Sequence, residues 1–290
     1  KIHKILMKIL ITGGTGFIGK NLLLEKFFLK HEVAVLTRKR LSKKFIKINS
    51  EIQNIEDKID KIKKFGPHVL IHLAWGGIPD YGKEMSKKNY LQQIIFFDKL
   101  KKVTSIKKII VTGSCFEYGV LKGSAYETKK INSTNHFSKA KINIYKYIKK
   151  KFSKNVKIVW LRLFYVYGKK QRGNALIPYL IKSLKSGKKI YLNEPFAARD
   201  FINVKDICKI IFKFLEIKKQ GIFNVGTGNA KSPKDIINFI LKHTKSKSVI
   251  SYDKKKKKTE FYANTNKLKS VFFGKLLPLK RGIEELIPDY

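Results

Sequence analysis

The stretch ITGGTGFIG sets Gly13, Gly16 and Gly19 three residues apart, with Thr15, Phe17 and Ile18 between them. An apolar run precedes it and a helically spaced segment follows, the setting in which a G-x-x-G-x-x-G loop holds a dinucleotide. Glycine at these three places lets the backbone turn sharply toward a diphosphate, and the amide N–H groups that open the helix carry partial positive charge. The next apolar run ends in Thr37, Arg38, Lys39 and Arg40 instead of the acid that usually holds an NAD ribose. A guanidinium there can pair with a 2′-phosphate, so the pattern predicts NADP, with NAD as the alternative.

Residues of this kind work only at strand ends. The runs MKILITGG, PHVLIHLAW, KKIIVTGSCF and VKIVWLRLF are apolar throughout and alternate with helically spaced segments such as KNYLQQIIFFDKLKKV and SKAKINIYKYIKKK. Strands without a polar face belong to a parallel sheet covered on both sides. The expected fold class is therefore α/β, a doubly wound Rossmann sheet with ligands at the carboxyl ends of its strands. Residues 1–168 read as the dinucleotide-binding domain. Residues 169–290 read as mainly a smaller α/β substrate lobe, with 201–225 returning to the first domain. Met7 reads as the start, and residues 1–6 as upstream sequence.

Composition narrows the function classes. With 43% hydrophobic residues in 290, the chain can build a sizeable core. The formal charge of +43 raises nucleic-acid binding, but lysine supplies all but six of the 64 basic residues and is spread along the whole chain. Spread lysine reads as a solvated surface that draws in anionic nucleotides, not as a specific nucleic-acid face. The run DKKKKKTE reads as an exposed loop. Cys115 and Cys208 stand outside any CxxC or Cys/His cluster, so no metal is expected, and a reducing cytoplasm is. No apolar run approaches the roughly 20 residues of a membrane helix.

Taken together, ITGGTGFIG, VLIHLAWGG, VTGSCFEYG, LRLFYVYG, ARDFINVKD and GIFNVGTG resemble the extended short-chain dehydrogenase/reductase family, also called the NAD-dependent epimerase/dehydratase family. Within it, HLAWGGIPDYG, GSCFEYG and RLFYVYGKKQ look most like nucleotide-sugar 4-ketoreductases. The resemblance implies that Leu73 and Ala74 lie beside the cofactor ribose, that Ser114 polarises the reacting carbonyl, and that Asn89 is a helix residue near the site. It also implies that Trp75, Cys115 and Phe116 adjoin the sugar, that Asn174 lies near the base, and that Arg199 grips the diphosphate. Family dehydratases carry Asp and Glu directly after the serine or threonine, because eliminating water needs an acid and a base. Here Cys115 and Phe116 stand there, which points to hydride transfer at a keto group. Family members commonly pair as homodimers.

Active relatives also place a tyrosine four residues before a lysine, the tyrosine giving the proton. The literal spacing is uninformative here: Tyr118, Tyr126, Tyr145, Tyr147, Tyr165 and Tyr252 all satisfy it, six of 13 tyrosines. The segment NHFSKAK, matching the family's NPYSKAK, puts Phe137 at the tyrosine position and Lys141 at the lysine. A second register would use Asn135 and Lys139. Phenylalanine cannot donate a proton, so protonation would fall to water, Ser114 or a neighbour such as His136. The expected function is an NAD(P)-dependent oxidoreductase acting at C4 of a nucleotide-linked 4-keto-6-deoxy sugar, impaired by Phe137. The alternatives are a non-catalytic binding homologue and a nucleotide-sugar epimerase.

Overall fold

The computed structural model describes residues 6–119, 122–244 and 246–290, so residues 1–5 of the upstream segment lie outside the described residues. Its elements run β1 (Lys8–Thr12), α1 (Phe17–Leu22), β2 (Glu32–Leu36), β3 (Ile46–Ile48), α2 (Ile59–Phe65), β4 (Val69–His72), α3 (Lys83–Leu100), β5 (Lys108–Ser114), β6 (Gly123–Ala125), α4 (His136–Phe152) and β7 (Lys157–Leu163). There follow β8 (Tyr165–Tyr167), α5 (Leu176–Lys185), β9 (Ile190–Leu192), β10 (Ala197–Asn203), α6 (Val204–Glu216), β11 (Gly221–Val225), β12 (Ala230–Lys231), α7 (Pro233–Thr244), β13 (Ile250–Tyr252), β14 (Thr259–Ala263), α8 (Asn266–Lys269) and α9 (Leu279–Glu284).

Seven strands form one sheet in the order β3-β2-β1-β4-β5-β7-β11, with β3-β2, β2-β1, β1-β4 and β4-β5 all parallel. The chain is an α/β protein with a Rossmann sheet. Strand order reverses between β1 and β4, and the crevice at their carboxyl ends is where such sheets take ligands. The strands carry the apolar runs read from the sequence. Ile9, Leu10 and Ile11 of β1, and Leu70 and Ile71 of β4, are all fully buried.

The chain divides into two compact units. One comprises Lys1–Val120, Lys130–Arg162 and Cys208–Phe223, and the other Leu121–Lys129, Leu163–Ile207 and Asn224–Tyr290. Cys208–Phe223 thus lies with the first unit, apart from its neighbours in sequence. The second unit also takes 121–129, a stretch with no compositional mark. In this unit β12-β10-β14-β6 form a sheet, β8 joins β10, and β13 pairs with β9. Its core gathers Leu180, Ile181 and Leu184 of α5 with Ile236, Ile237 and Ile240 of α7. Among the described residues no helix is long and apolar enough to cross a membrane, and no His/Cys/Asp/Glu group could hold a metal.

Two local features depart from simple amphipathic reading. The helix after the glycine loop stops at Leu22, and a 3-10 turn (Lys26–Lys30) follows, which lets Phe27 and Phe28 pack against Phe212 of α6. In α3 the buried face carries Ser86, Asn89 and Gln93 ahead of Phe96, Phe97 and Leu100, while Leu91 and Ile95 are exposed. The polar half of that face is buried because it has partners at the carboxyl ends of the strands.

Candidate active site

The glycine loop is built from backbone contact. Gly13 has φ +71°, a left-handed conformation that favours glycine, and a Cβ there would lie 2.6 Å from the Ala74 nitrogen. A Cβ on Gly19 would lie 2.3 Å from the Gly13 carbonyl oxygen. The loop after β1 and the Leu73–Ala74 backbone after β4 therefore touch.

Gly16 is held differently from Gly13 and Gly19. It is the N-cap of α1, with φ −79° and ψ −177°, extended backbone that any residue adopts. Its amide closes the loop by donating to the Gly13 carbonyl at 3.0 Å, and the residue itself is exposed. A Cβ there would meet only that same carbonyl oxygen, at 3.2 Å. The backbone is unstrained and a Cβ would crowd only that carbonyl, so Gly16 leaves an open face at the start of the helix, where a diphosphate could approach the backbone.

Thr15 faces Thr37 across 3.3 Å between hydroxyls, and Thr37 accepts the Lys39 amide. Arg38, at the end of β2, pairs with Glu51 at 2.5 Å with its side chain largely in solvent. Phe17 and Ile18 are half-buried at the start of α1.

A buried relay holds the ends of β1 and β4 in place. His72 contacts the Thr12 hydroxyl through Nδ1 at 2.8 Å and Gln93 Oε1 through Nε2, and Gln93 donates its amide to the Ala74 carbonyl. That last bond fixes the Gln93 amide, so His72 Nε2 carries the proton and Nδ1 accepts from Thr12. Burial, opposed by the Gln93 bond, pushes the His72 pKa down to about 3. Asn89, one turn earlier, accepts the Gly76 amide and donates to the Gly76 and Met85 carbonyls. Together they fix the loop that carries Trp75.

Ser114 closes β5. Its hydroxyl accepts the Phe116 amide, and the Glu117 carboxylate accepts the Ser114 amide, so the two residues cap the turn reciprocally. The Glu117 carboxylate also accepts from Trp160 Nε1 at 2.9 Å and from Arg162 Nε at 2.9 Å, with Glu117 and Arg162 each only 1% exposed. Gly113 makes room for this: a Cβ there would lie 2.2 Å from Trp160 Nε1 and 2.5 Å from the Glu117 carboxylate. Cys115 is buried, and Phe116 is half-buried.

The amino end of α4 supplies the opposite wall. Asn135 is its N-cap and accepts the Ser138 amide, while Lys139 and His136 are exposed. Phe137 and Lys141 are buried. The Lys141 ammonium donates to the Thr112 carbonyl at 2.9 Å and lies 4.2 Å from the Trp75 ring centre. Burial, against the pull of Glu117, brings its pKa down to about 8. The Phe137 ring packs edge-on to Trp75 at 5.1 Å and tilted against Tyr81 at 4.9 Å, with Phe116 at 6.3 Å. Trp75 Nε1 is buried with no hydrogen-bond partner among the described residues. Tyr145 and Tyr147, deeper in α4, instead meet Trp160 and Asp98.

One unit thus gathers the glycine loop, Thr37, Leu73, Ala74, Trp75, Ser114, Phe116, Phe137 and Lys141. Arg199 and Asn174 belong to the other unit. Arg199 stands on β10, donating to the Ala198 carbonyl and the Thr259 hydroxyl, next to a fully buried Asp200 that accepts four donors from Thr227, Gly228 and Ala263. Asn174 is exposed ahead of α5. Sequence reading assigned nothing to Glu117, Gln93 or Tyr81. Glu117 could have been found, since Ser114-x-x-Glu117 is a capping-box pattern. Nothing in the sequence marks the other two.

The chain matches the NAD dependent epimerase/dehydratase family over residues 9–226. It is 28% identical to CDP-abequose synthase of Salmonella muenchen, covering 97% of each chain. It is also 25% identical to dTDP-6-deoxy-L-talose 4-dehydrogenase (NAD(+)) of Aggregatibacter actinomycetemcomitans, over 82% of this chain and 91% of the relative. Among solved structures, UDP-glucose 4-epimerase of Thermotoga maritima superposes with a TM-score of 0.85 at 19% identity, covering 97% of this chain and 98% of that one. With the glycine loop at the reversal of strand order, Ser114 ending β5 and Lys141 buried beside it, the match over most of the chain makes this protein a member of the NAD dependent epimerase/dehydratase family, the NAD-dependent enzymes that act on nucleotide sugars.

Proposed function

We propose that this chain transfers hydride at C4 of a nucleotide-linked 4-keto-6-deoxyhexose, with NADP preferred over NAD. The end of β5 carries the reading: Ser114 can polarise a carbonyl, but Cys115 and Phe116 follow it where eliminating water would need an acid and a base. The named activities of the two relatives, CDP-abequose synthesis and deoxytalose 4-dehydrogenation, support the same substrate class. The donors at the glycine loop are backbone N–H groups and the Thr15 and Thr37 hydroxyls, an uncharged set that fits a dinucleotide diphosphate. When bound, that cofactor supplies or accepts the hydride.

The chain's own residues do the rest. Ser114 donates to the carbonyl oxygen. Lys141, anchored on Thr112, holds the ribose and favours negative charge developing on the substrate oxygen. Trp75, Cys115 and Phe116 enclose the sugar, Arg199 takes the diphosphate, and Asn174 lies near the base. Arg38 meets a 2′-phosphate by releasing Glu51. Exposed Leu91 and Ile95 on α3 support a homodimer, and the enzyme acts in the cytoplasm. A second reading, a non-catalytic binding protein for the same ligands, is favoured by Phe137.

NADPH oxidation with dTDP-, CDP- and GDP-linked 4-keto-6-deoxy sugars tests the proposal in both the native chain and Phe137→Tyr. Turnover of at least one sugar is expected. No turnover from either form, with NADPH binding intact, favours the binding-protein reading.

A further inference from the structure

Phe137 leaves the site without its usual proton donor, and the surrounding groups differ sharply in what they can offer. His136, its neighbour in sequence, is exposed at the start of α4. Tyr118 is buried beneath the Arg162 guanidinium, 4.6 Å from its ring centre. Tyr145 and Tyr147 are engaged elsewhere, as described above. Within the cluster of Trp75, Tyr81, Phe116 and Phe137, one side chain carries a hydroxyl. The Tyr81 ring lies 4.9 Å from Phe137 and 5.9 Å from Phe116, and the residue is 37% exposed. The backbone around it is fixed: its carbonyl accepts the Ser86 hydroxyl, and Asp80 accepts the Gly82 amide.

We infer that Tyr81, donated by the loop between β4 and α3, is the proton donor that replaces the missing hydroxyl at Phe137. The inference rests on the oxidoreductase reading above. In the reduction, the carbonyl carbon gains a hydride from the reduced nicotinamide dinucleotide and the C=O π pair moves onto oxygen. That oxygen takes the phenolic proton of Tyr81. The Tyr81 phenolate regains a proton from water through its exposed side, so each turnover consumes one hydride and one solvent proton. The packing of Phe137 against Tyr81 gives the phenylalanine a role of its own, as the wall on which the donor rests.

The test compares Tyr81→Phe, Phe137→Tyr, the double variant and His136→Ala in the full chain. Tyr81→Phe keeps the ring, so packing survives. Loss of the general acid is expected to lower kcat by about 100- to 10,000-fold. The double variant regains at least a tenth of native activity, and His136→Ala changes kcat less than twofold. A second readout needs no turnover. Calorimetric binding of the 4-hydroxy sugar nucleotide weakens about three- to tenfold in Tyr81→Phe, the loss of one hydrogen bond. Tyr81→Phe retaining more than a tenth of native kcat, or an inert native chain beside an active Phe137→Tyr, overturns the inference. If no form turns over any sugar, the oxidoreductase reading itself fails, and unchanged ligand binding in Tyr81→Phe then overturns the inference separately.

Discussion

The two walls of the candidate site are made differently. The cofactor side is backbone against backbone: Gly13 meets Ala74, Gly19 meets Gly13, and the buried polar groups behind them, from Thr12 through His72 to Gln93, are joined by hydrogen bonds. The reacting side is side chain against side chain: Trp75, Tyr81 and Phe116 gathered around Phe137, with a buried lysine against the tryptophan. At Gly13 and Gly19 a wall of backbone has no room for a side chain. A wall of aromatic rings is held by packing that needs no hydroxyl, and Phe137 stands in that wall.

The contrast can be broken first at Glu117, whose single carboxylate supports the reacting side. Glu117→Ala removes the partner of a buried Arg162, and truncating one member of such a pair costs about 3–5 kcal/mol. Urea unfolding will read this. A loss under 1 kcal/mol would mean that the buried Arg162 is satisfied without Glu117.

Gly13→Ala attacks the other wall. Left-handed strain of about 1–2 kcal/mol and overpacking of about 1–3 kcal/mol against the Ala74 backbone should combine to destabilise the chain and abolish dinucleotide binding. Tolerance of alanine with binding intact would show that the two loops can part at little cost.

Lys141→Met separates function from stability. The folded pKa of Lys141 is depressed to about 8 from the ordinary 10.5, so the buried charge opposes folding below pH 8. That cost is relieved as pH rises from 8 toward 10.5, where the unfolded chain still binds the proton and the folded chain does not. The variant should therefore be more stable at pH 7, by about 1–3 kcal/mol, and should lack the native chain's gain in stability above pH 8. Cofactor affinity should fall in the same variant. His72, with its pKa pushed down to about 3, acts on the acid side: the folded state resists protonation, so stability falls as pH drops from 6.5 toward 3.

Arg38→Ala is the mildest change. The exposed pair with Glu51 is worth about 0–1 kcal/mol, so unfolding should barely move. The ratio of NADPH to NADH affinity should drop about tenfold, as for loss of one charged hydrogen-bonded contact to phosphate. An unchanged ratio would count against the NADP preference.

How far the site could be read from sequence depends on what holds each part. A glycine loop between an apolar run and a helix is a local pattern, because the strained φ at Gly13 and the tight turn are properties of consecutive residues. What the pattern does not separate is Gly13 and Gly19, held by close backbone approach, from Gly16, which is exposed in an unstrained conformation. The apolar strands announce the sheet for the same local reason. Helix α3 shows where local reading stops. Asn89 and Gln93 look like surface residues and Leu91 and Ile95 like core, yet the reverse holds, because the partners of the two amides come from β4 and the loop after it.

The sequence by itself determined the α/β class, the glycine loop and the family, and it puts a phenylalanine four residues before Lys141. Each of these is written in residue types at short spacing, or in motifs that need no partner to be recognised. Only the tertiary structure decided which lysine is buried, which carboxylate holds Ser114, and which aromatic residues close around Phe137. Lys141 and Lys139 are two residues apart on one helix, and what separates them is burial against the sheet. Tyr81 and Phe137 are distant in the chain and meet because the loop after β4 and the start of α4 converge at the carboxyl end of one sheet, a contact no linear pattern encodes.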